Sequence, residues 1–144
     1  MWILVDTNIF LDYLLSRGEQ AVVAKEFFYN CRKTQSKTFI AATSLKDIDY
    51  VMHRYLHDKN EAKKAVRDVY SLVSKVISIT ADDAIESIYS DMNDYEDSLL
   101  VEAAKREMIN LIVTNNVKDF KSSHFPVLSP KEFNDIINNQ IPKS

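Results

Sequence analysis

Short apolar runs alternate along the chain with longer segments whose apolar residues recur at helical spacing. The runs predict β-strands at residues 2–5, 38–41, 76 to 78 or 79, 110–113 and, weakly, 125–128. The longer segments predict helices at residues 8–16, 19–33, 44–55, 61–74, 81–91, 94–108 and 130–139. Strands that are apolar on both faces and alternate with helices are typical of a parallel sheet covered by helices. We therefore predict a three-layer α/β/α fold around a central parallel sheet of four to five strands.

Local signals predict the ends and faces of three helices. Gly18 is expected to close the first helix, and Ser44 to cap the third. The core face of the second helix is predicted to carry Val22, Val23, Phe27 and Cys31. The core is also predicted to take most of Ile9, Phe10, Tyr13, Leu14, Tyr50 and Met52. The alternative is that some of these form an exposed patch for self-association or for a partner helix.

Polar residues follow the predicted strands at the points where each strand ends. In open α/β sheets, ligands bind beyond the carboxyl ends of the strands, so these positions are candidates for a site. Asp6 follows the first strand, and Asp47 falls in the first turn of the helix after the second strand. The other candidates follow the later strands or precede the fourth. They are Asp82 and Asp83 after the third strand, Asn115 and Asn116 after the fourth, and Asp94 and Asp97 at the start of the helix that leads into the fourth strand.

Helix capping is the competing explanation for several of these acids. The spacing of a capping box recurs at Ser44-x-x-Asp47, Thr80-x-x-Asp83 and Asp94-x-x-Asp97. An acid there also lies near the positive end of a helix dipole. For any one of these acids a cap is the favoured interpretation, and Asp83 is assigned no function.

A group of acids at one edge of the sheet has a different meaning. Gathered carboxylates repel one another, which costs stability or raises a pKa unless a cation offsets the charge. A hard divalent cation such as Mg²⁺ prefers oxygen ligands and activates water at a phosphodiester. If Asp6, Asp47 and Asp97 converge, they form a metal-dependent hydrolase site.

The composition disfavours several classes of enzyme. The chain has one glycine, whereas a P-loop needs several and a dinucleotide-binding turn needs three. A nucleophile elbow fails for the same reason. The single cysteine, Cys31, excludes an intramolecular disulfide and a cysteine-rich zinc site, and it is predicted to be a core residue. ATPases, nicotinamide-dependent dehydrogenases and serine hydrolases are therefore disfavoured.

Length and charge restrict the remaining possibilities. The 144 residues predict one domain over residues 1–144. The chain has no apolar run long enough to span a bilayer and no signal-type N-terminus, so we expect a cytoplasmic protein with no membrane contact. A net charge of −3 argues against coating of nucleic acid by bulk positive charge, but it is compatible with a nuclease.

Three segments carry a family resemblance. They are VDTNIFLDYL, IAATSLKDIDYVM and DYEDSLLVEAAKREMINLIVTNNVKDF. The first is an apolar strand followed by an acid, Thr and Asn; the last is a helix opening with Asp, then a strand, Thr-x-Asn and Asp-Phe. In this order the segments resemble the PIN domain family of metal-dependent ribonucleases, to which the VapC toxins of toxin–antitoxin systems belong. The resemblance covers nearly the whole chain.

The resemblance implies roles for eight residues. The implied catalytic residues are Asp6, Asp47, Asp97, Asn116 and Asp119. Among them, Asp6 and Asp97 are implied to bind Mg²⁺ or Mn²⁺, with Asp47 binding directly or through water. The implied supporting residues are Thr7, Asn8 and Thr114.

The resemblance also implies an activity and partners. The protein is expected to be an endoribonuclease that cleaves single-stranded RNA, the toxin of a toxin–antitoxin pair, a homodimer and the target of a protein antitoxin. Two departures oppose a two-metal site: Asp47 stands where Glu is commoner in the family, and the neutral Asn116 stands where many members have Asp. The alternative is a catalytically weak PIN-like module that binds RNA or protein.

Other constellations compete for a functional role. His53 and His57 have a spacing that suits zinc on a helix, but Arg54 stands where a metalloprotease has its glutamate. A solvated helix face is the favoured interpretation, and contact of Arg54 and His57 with RNA phosphates is the alternative. Two basic groups are predicted to be solvated or to form a phosphate-contacting rim: Arg32, Lys33 and Lys37, and Lys63, Lys64 and Arg67.

Overall fold

The computed structural model describes residues 1–16 and 18–140, and a parallel sheet lies at its centre. The strands are β1 (Trp2–Val5), β2 (Lys37–Ala41), β3 (Lys75–Ile77), β4 (Leu111–Val113) and β5 (Val127–Leu128). They lie in the order β3-β2-β1-β4-β5, and every neighbouring pair is parallel. The predicted parallel sheet is confirmed, with five strands.

Helices occupy most of the chain between these strands. They are α1 (Thr7–Leu15), α2 (Gly18–Lys33), α3 (Ala42–Leu56), α4 (Lys59–Leu72), α5 (Ala81–Ile88), α6 (Tyr95–Arg106) and α7 (Pro130–Gln140). Each predicted helix is present in the described residues, with ends that differ by at most three residues. A 3₁₀ helix at Val117–Ser123 follows β4, and the apolar periodicity does not predict it.

The sheet is covered on both faces because successive side chains of a strand point to opposite sides. Ile3 and Val5 of β1 pack into one core with α1, α2, α3, α4 and α7. Leu4 packs into a second core with Phe39, α6 and the 3₁₀ helix. Burial of each such side chain contributes about 1.5–3 kcal/mol. The α/β/α layering therefore follows from strands that are apolar on both faces.

The connection between α1 and α2 differs from the prediction. Gly18 does not close the first helix: Ser16 does so, in the left-handed conformation with φ 50°. Gly18 instead begins α2 with φ 54°, a conformation that glycine adopts without steric cost. The positive φ that calls for glycine is thus needed where the second helix starts.

The start of α3 also differs from the prediction. Ser44 is not the cap, because α3 follows β2 directly with Ala41 at the N-cap position and no side-chain cap bond. The buried Ser44 hydroxyl instead accepts a hydrogen bond of 2.9 Å from the Thr7 hydroxyl. Asp47 consequently lies in the second turn of the helix. Ser44 therefore forms a tertiary hydrogen bond rather than a helix cap, and the local sequence spacing does not predict that bond.

Half of the predicted core residues are buried, and the others are partly buried or exposed. Ile9, Phe10, Met52 and Cys31 are buried, and burial raises the pKa of the Cys31 thiol to about 12. Tyr13, Leu14 and Val23 are partly buried, and Val22 and Tyr50 are exposed. The buried positions of α2 share one helix face, and Val22 lies off that face. None of the helices in the described ranges is long and apolar enough to cross a membrane.

Candidate active site

Asp6 lies where the two central strands of the sheet end. Its backbone N–H donates to the Val113 carbonyl at 3.0 Å, which continues the pairing of β1 with β4. Its carboxylate accepts one hydrogen bond from the Thr7 N–H at 2.8 Å and one from the Thr114 hydroxyl at 2.8 Å. The side chain is only 8% exposed. Both carboxylate oxygens are therefore held in a fixed orientation at the carboxyl edge of the sheet.

Threonines behind Asp6 link the elements around it. The fully buried Thr114 accepts a hydrogen bond of 3.1 Å from the Asn116 N–H while it donates to Asp6. Thr7, at the start of α1, donates its hydroxyl hydrogen to Ser44 of α3. Hydrogen bonds thus connect the end of β1, the loop after β4 and the first turn of α3, and they position Asp6 relative to both.

The N-terminus of α6 brings two further acids to this edge. Asp94 is the N-cap residue, and its carboxylate accepts a hydrogen bond of 3.0 Å from the Asp97 N–H. The predicted cap at Asp94 is therefore confirmed. Asp97 lies in the first turn of α6 and is half-buried. Its carboxylate accepts no hydrogen bond from the described residues, so it remains available to the cleft.

One open cleft of about 370 Å³ gathers most of the candidate residues. Its lining includes Asp6, Thr7, Asn8, Asp47, Asp97, Asn116 and Asp119. Thr114 lies behind Asp6 and does not line the cleft. A neighbouring recess of about 260 Å³ shares Asp6, Asp47 and Asp97 with it and adds Lys46 and Tyr95. Residues from four separate segments of the sequence thus meet at the edge where β1 and β4 end.

The charges in this cleft perturb one another. Burial raises the pKa of Asp97 to about 7, and the negative charges of Asp94, Asp6, Asp119 and Glu96 add to the shift. Burial also raises the pKa of Asp6, although the hydrogen bonds from Thr114 and Thr7 act in the opposite direction. The same-sign charges are therefore close enough to disfavour simultaneous ionisation.

The donor chemistry of the cleft fits a hard divalent cation. Among the described residues, none of the ion pairs of Lys or Arg involves Asp6, Asp94, Asp97 or Asp119. Carboxylate oxygens that are crowded and lack a basic partner are the ligands that Mg²⁺ and similar ions prefer. Within residues 1–16 and 18–140, however, no three Asp, Glu, His or Cys side chains are close enough to enclose an ion. The carboxylates surround an open cleft rather than a closed cage.

Two acids that follow β3 lie elsewhere and do not line the cleft. Asp83 is buried, forms the capping box with Thr80 and pairs with Arg106 at 3.0 Å. Asp82 is exposed in the first turn of α5. Asn115 points away from the cleft and donates a hydrogen bond of 2.8 Å to Asp12. The structural interpretation of Asp83 is therefore confirmed.

The two histidines do not share a helix face. α3 ends at Leu56, and His57 follows it in the left-handed conformation with φ 56°. Its N–H closes the helix by donating to the His53 carbonyl at 2.8 Å. The i, i+4 spacing gives a common face only if the helix continues through His57, and it does not. The lining of the acidic cleft includes neither histidine.

The predicted basic groups also lie apart from the acids. The Lys33 ammonium lies 5.9 Å from the centre of the Tyr29 ring on α2, and Lys63 lines a surface groove with His53 and Asp49. The lysines beside the carboxylates are Lys46 in the recess and Lys118 and Lys121 in a groove of about 450 Å³. That groove shares Asp94 and Asp119 with the acidic cleft.

The sequence patterns miss three residues of the cleft. Asp94 is a strand-end candidate with capping as its favoured interpretation and is absent from the implied catalytic set, yet its charge contributes to the raised pKa values of both Asp6 and Asp97. Glu96 lies between Asp94 and Asp97 in sequence and also lines the cleft. Tyr50 was assigned to the core but borders the cleft with 59% of its surface exposed. The signal for Asp94 was present, because an N-cap residue and the third helical residue lie at the same helix end.

Comparison with known proteins identifies the family. The sequence profile of the PIN domain matches residues 2–118. This match covers most of the chain, so the protein belongs to the PIN domain family. The resemblance carried by the three sequence segments is therefore confirmed. No curated protein sequence matches the chain.

Solved structures share the fold. VapBC2 from Rickettsia felis, bound to a DNA fragment from its promoter, has a TM-score of 0.68 and 16% identity over 90% of this chain and 98% of that chain. VapC20 from Mycobacterium tuberculosis, described as a Sarcin-Ricin loop cleaving toxin, has a TM-score of 0.65 and 16% identity over 85% and 95%. A toxin–antitoxin complex from Klebsiella pneumoniae has a TM-score of 0.63 and 22% identity over 89% and 97%.

Proposed function

We propose that this protein is a metal-dependent endoribonuclease that cleaves single-stranded RNA and acts as the toxin of a VapC-type toxin–antitoxin pair. The observation that carries the proposal is the cleft in which Asp6 and Asp97 face each other's charge without a basic partner among the described residues. Such an arrangement is unfavourable for the isolated protein and favourable once a cation is bound. Membership of the PIN domain family supports nuclease chemistry at this site.

The cation is proposed to be Mg²⁺ or Mn²⁺, held by Asp6 and Asp97 with Asp47 directly or through water. When bound, such an ion supplies activation of water and neutralisation of charge at the phosphodiester. The hydrogen bonds from Thr7 and Thr114 keep the Asp6 carboxylate in one orientation, so little reorganisation is needed for binding.

Asn116 and Asp119 are proposed to orient the attacking water and the phosphate. Both line the acidic cleft from the segment that follows β4. The Asn116 backbone is anchored to the Thr114 hydroxyl, and the Asp119 N–H donates to the Asn116 carbonyl at 3.0 Å. The Asn116 amide offers two hydrogen-bond donors to a phosphate oxygen, and the Asp119 carboxylate offers an acceptor to water. Asn8, exposed at the cleft edge, is a further polar contact.

The groove beside the cleft suggests the course of the RNA strand. Lys118 and Lys121 line it, and their three-residue spacing on the 3₁₀ helix places them on one face. Neither lysine has an ion-pair partner within the described ranges. Because the groove continues from Asp94 and Asp119, phosphates that flank the cleavage point can reach both lysines.

The structural relatives support the proposed toxin role and protein partner. One relative is described as cleaving the Sarcin-Ricin loop, and others are complexes of a toxin with its antitoxin. We infer an exposed RNA loop as the substrate class, a protein antitoxin and a homodimer as assemblies, and the cytoplasm as the place of action. We also propose that residues 1–144 form one PIN domain.

The test is metal-stimulated cleavage of RNA by variants of the two central acids. Asp6→Asn and Asp97→Asn are expected to lower the cleavage rate by at least about 100-fold because they remove charge from the cation site. The matched control is Asp82→Asn, an exposed acid outside the cleft, which should cleave like the wild type. Folding is monitored by circular dichroism. Normal cleavage by both central variants would overturn the proposal.

A second candidate is a PIN-like module that binds RNA or protein but cleaves poorly. Two observations favour it: the open arrangement of the acids and the neutral Asn116 in the cleft. Titration with Mn²⁺ separates the two candidates. Binding that depends on Asp6 favours the enzyme, whereas an absence of binding even with RNA present favours the module.

A further inference from the structure

Tyr50 occupies an unusual position beside the acids. It lies three residues after Asp47 on α3, so both side chains lie on neighbouring positions of one helix face. The Tyr50 side chain borders the acidic cleft and is nevertheless 59% exposed. An aromatic ring left open to solvent at the edge of a polar cleft offers a flat apolar surface to whatever enters that cleft.

Arg54, one turn further along α3, contacts the Tyr50 side chain. Its Nη1 donates a hydrogen bond of 3.0 Å to the Tyr50 hydroxyl, and its guanidinium carbon lies 5.7 Å from the ring centre. Arg54 makes no ion pair with an acid in the described part of the chain. The guanidinium therefore keeps its charge available to a phosphate while it restricts the orientation of the ring.

We propose that Tyr50, held by Arg54, is a stacking platform for one base of the RNA strand next to the cleavage point. This inference rests on the proposed ribonuclease function and adds a determinant of substrate positioning to it. Aromatic rings beside a charged groove bind single strands by stacking with any base, and arginine adds contacts to the backbone. A duplex does not present an unstacked base, so this contact selects single-stranded RNA.

The other exposed tyrosines lack this combination. Tyr55 and Tyr70 are 61% and 64% exposed, but neither lines the acidic cleft. Tyr95 borders the neighbouring recess, and its hydroxyl donates to the Ala84 carbonyl at 3.1 Å. Tyr70, on α4, is therefore a matched control: it has the same side chain and similar exposure but no cleft.

The experiment uses the full chain and a single-stranded oligoribonucleotide that carries 2-aminopurine at successive positions. Binding is measured in an Asp6→Asn background, which is expected to suppress cleavage, and cleavage is measured in the otherwise unaltered protein. Stacking on Tyr50 is expected to quench the fluorescence at one position. Tyr50→Ala and Tyr50→Leu should abolish that quenching and weaken binding roughly 10-fold. Tyr50→Phe, which keeps the ring but loses the hydrogen bond from Arg54, should retain most of both.

Further comparisons isolate the stacking contact. An abasic nucleotide at the quenched position should weaken binding to the protein with Tyr50 but not to Tyr50→Ala. Arg54→Ala should weaken binding several-fold while part of the quenching remains. If Tyr50→Ala and Tyr50→Leu quench and bind like Tyr70→Ala while the wild type cleaves RNA, the stacking inference alone is overturned. If the wild type neither binds nor cleaves RNA, the proposed function falls and the inference falls with it.

Discussion

The Thr114 hydroxyl donates a hydrogen bond of 2.8 Å to the Asp6 carboxylate, and the two residues are 108 positions apart in sequence. The contact exists because β1 and β4 are parallel neighbours that end at the same edge of the sheet. The same Thr114 hydroxyl accepts a hydrogen bond from the Asn116 N–H, so the segment after β4 both supports Asp6 and carries Asn116. One buried threonine thus couples the central acid to the loop that carries Asn116.

Replacement of Thr114 by valine should weaken both the fold and the site. The variant keeps the shape of the side chain but removes a hydrogen bond to a buried carboxylate, which is worth about 1.5–3 kcal/mol. The pKa of Asp6 should rise further, because the lost bond acts to lower it. Urea denaturation measures the loss of stability, and RNA cleavage measures the effect on the site. Thr114→Ser, which keeps the hydroxyl, should resemble the wild type in both; an equal loss in the two variants would contradict the explanation.

Asp97 should make the stability of the metal-free protein fall as the pH rises. Its pKa is raised to about 7 in the folded protein, whereas an unfolded aspartate titrates near about 3.9. The folded state therefore binds the proton more tightly, and the stabilisation is complete below the unfolded pKa and lost as the pH passes through about 7. Because the side chain is partly exposed, screening reduces the effect to about 1–2 kcal/mol.

Asp97→Asn tests this assignment by thermal denaturation in EDTA. The variant should melt roughly 2–6 °C above the wild type at about pH 8 and show a weaker decline in melting temperature between about pH 4 and pH 7. Asp82→Asn is the matched control and should keep the wild-type profile. A wild-type profile in Asp97→Asn would show that the charge of Asp97 does not destabilise the folded protein.

Divalent cations should offset the destabilisation that ionised Asp97 causes. At a Mn²⁺ concentration about 100 times the dissociation constant, binding to the folded state alone stabilises it by about 2.7 kcal/mol. The stabilisation should be larger at about pH 8 than at about pH 5, because protons compete with the cation for Asp97. Calorimetry with and without EDTA measures the effect. The double variant Asp6→Asn/Asp97→Asn should show no stabilisation; an undiminished one would place the ion elsewhere.

Much of this arrangement could be predicted because its causes are local. The strands are apolar on both faces, so their order of alternation with helices indicates a covered parallel sheet. Asp6 and Asn116 follow such strands directly, and parallel strands bring their carboxyl ends together. The capping spacing likewise predicted the Thr80–Asp83 box and the cap at Asp94.

The remaining features depend on contacts that sequence spacing does not encode. Ser44 has the spacing of a cap, but its hydroxyl binds Thr7, which is 37 residues away. Tyr50 is apolar enough for the core, yet the rotation of α3 turns it toward the cleft. The zinc-like spacing of His53 and His57 would need α3 to continue through His57, but that residue is left-handed and ends the helix. In each case tertiary packing decides between local alternatives of similar energy.

The Asp83–Arg106 pair should support the fold and leave the site untouched. Burial acts to raise the pKa of Asp83, but hydrogen bonds from Arg106 and Thr80 hold it below the usual value. Its contribution to stability is therefore present above the unfolded pKa and lost as the pH falls through the folded one. Asp83→Ala should cost about 2–3 kcal/mol in urea denaturation, because it removes both the capping box with Thr80 and the ion pair with Arg106. The rate of RNA cleavage below the melting transition should not change, and a selective loss of activity would contradict the structural role.

Removal of Lys118 and Lys121 should weaken RNA binding in a salt-dependent manner. Their groove adjoins the cleft, and each phosphate contact releases counterions when it forms. The double alanine variant should bind a single-stranded oligoribonucleotide less tightly at low salt, and its plot of log affinity against log salt should flatten by about 0.7 for each lost contact. The control is Lys63→Ala/Lys64→Ala on α4, which removes the same charge from a helix that does not line the cleft. Equal slopes in the two double variants would show that the lysines act through net charge alone and that the strand takes another path.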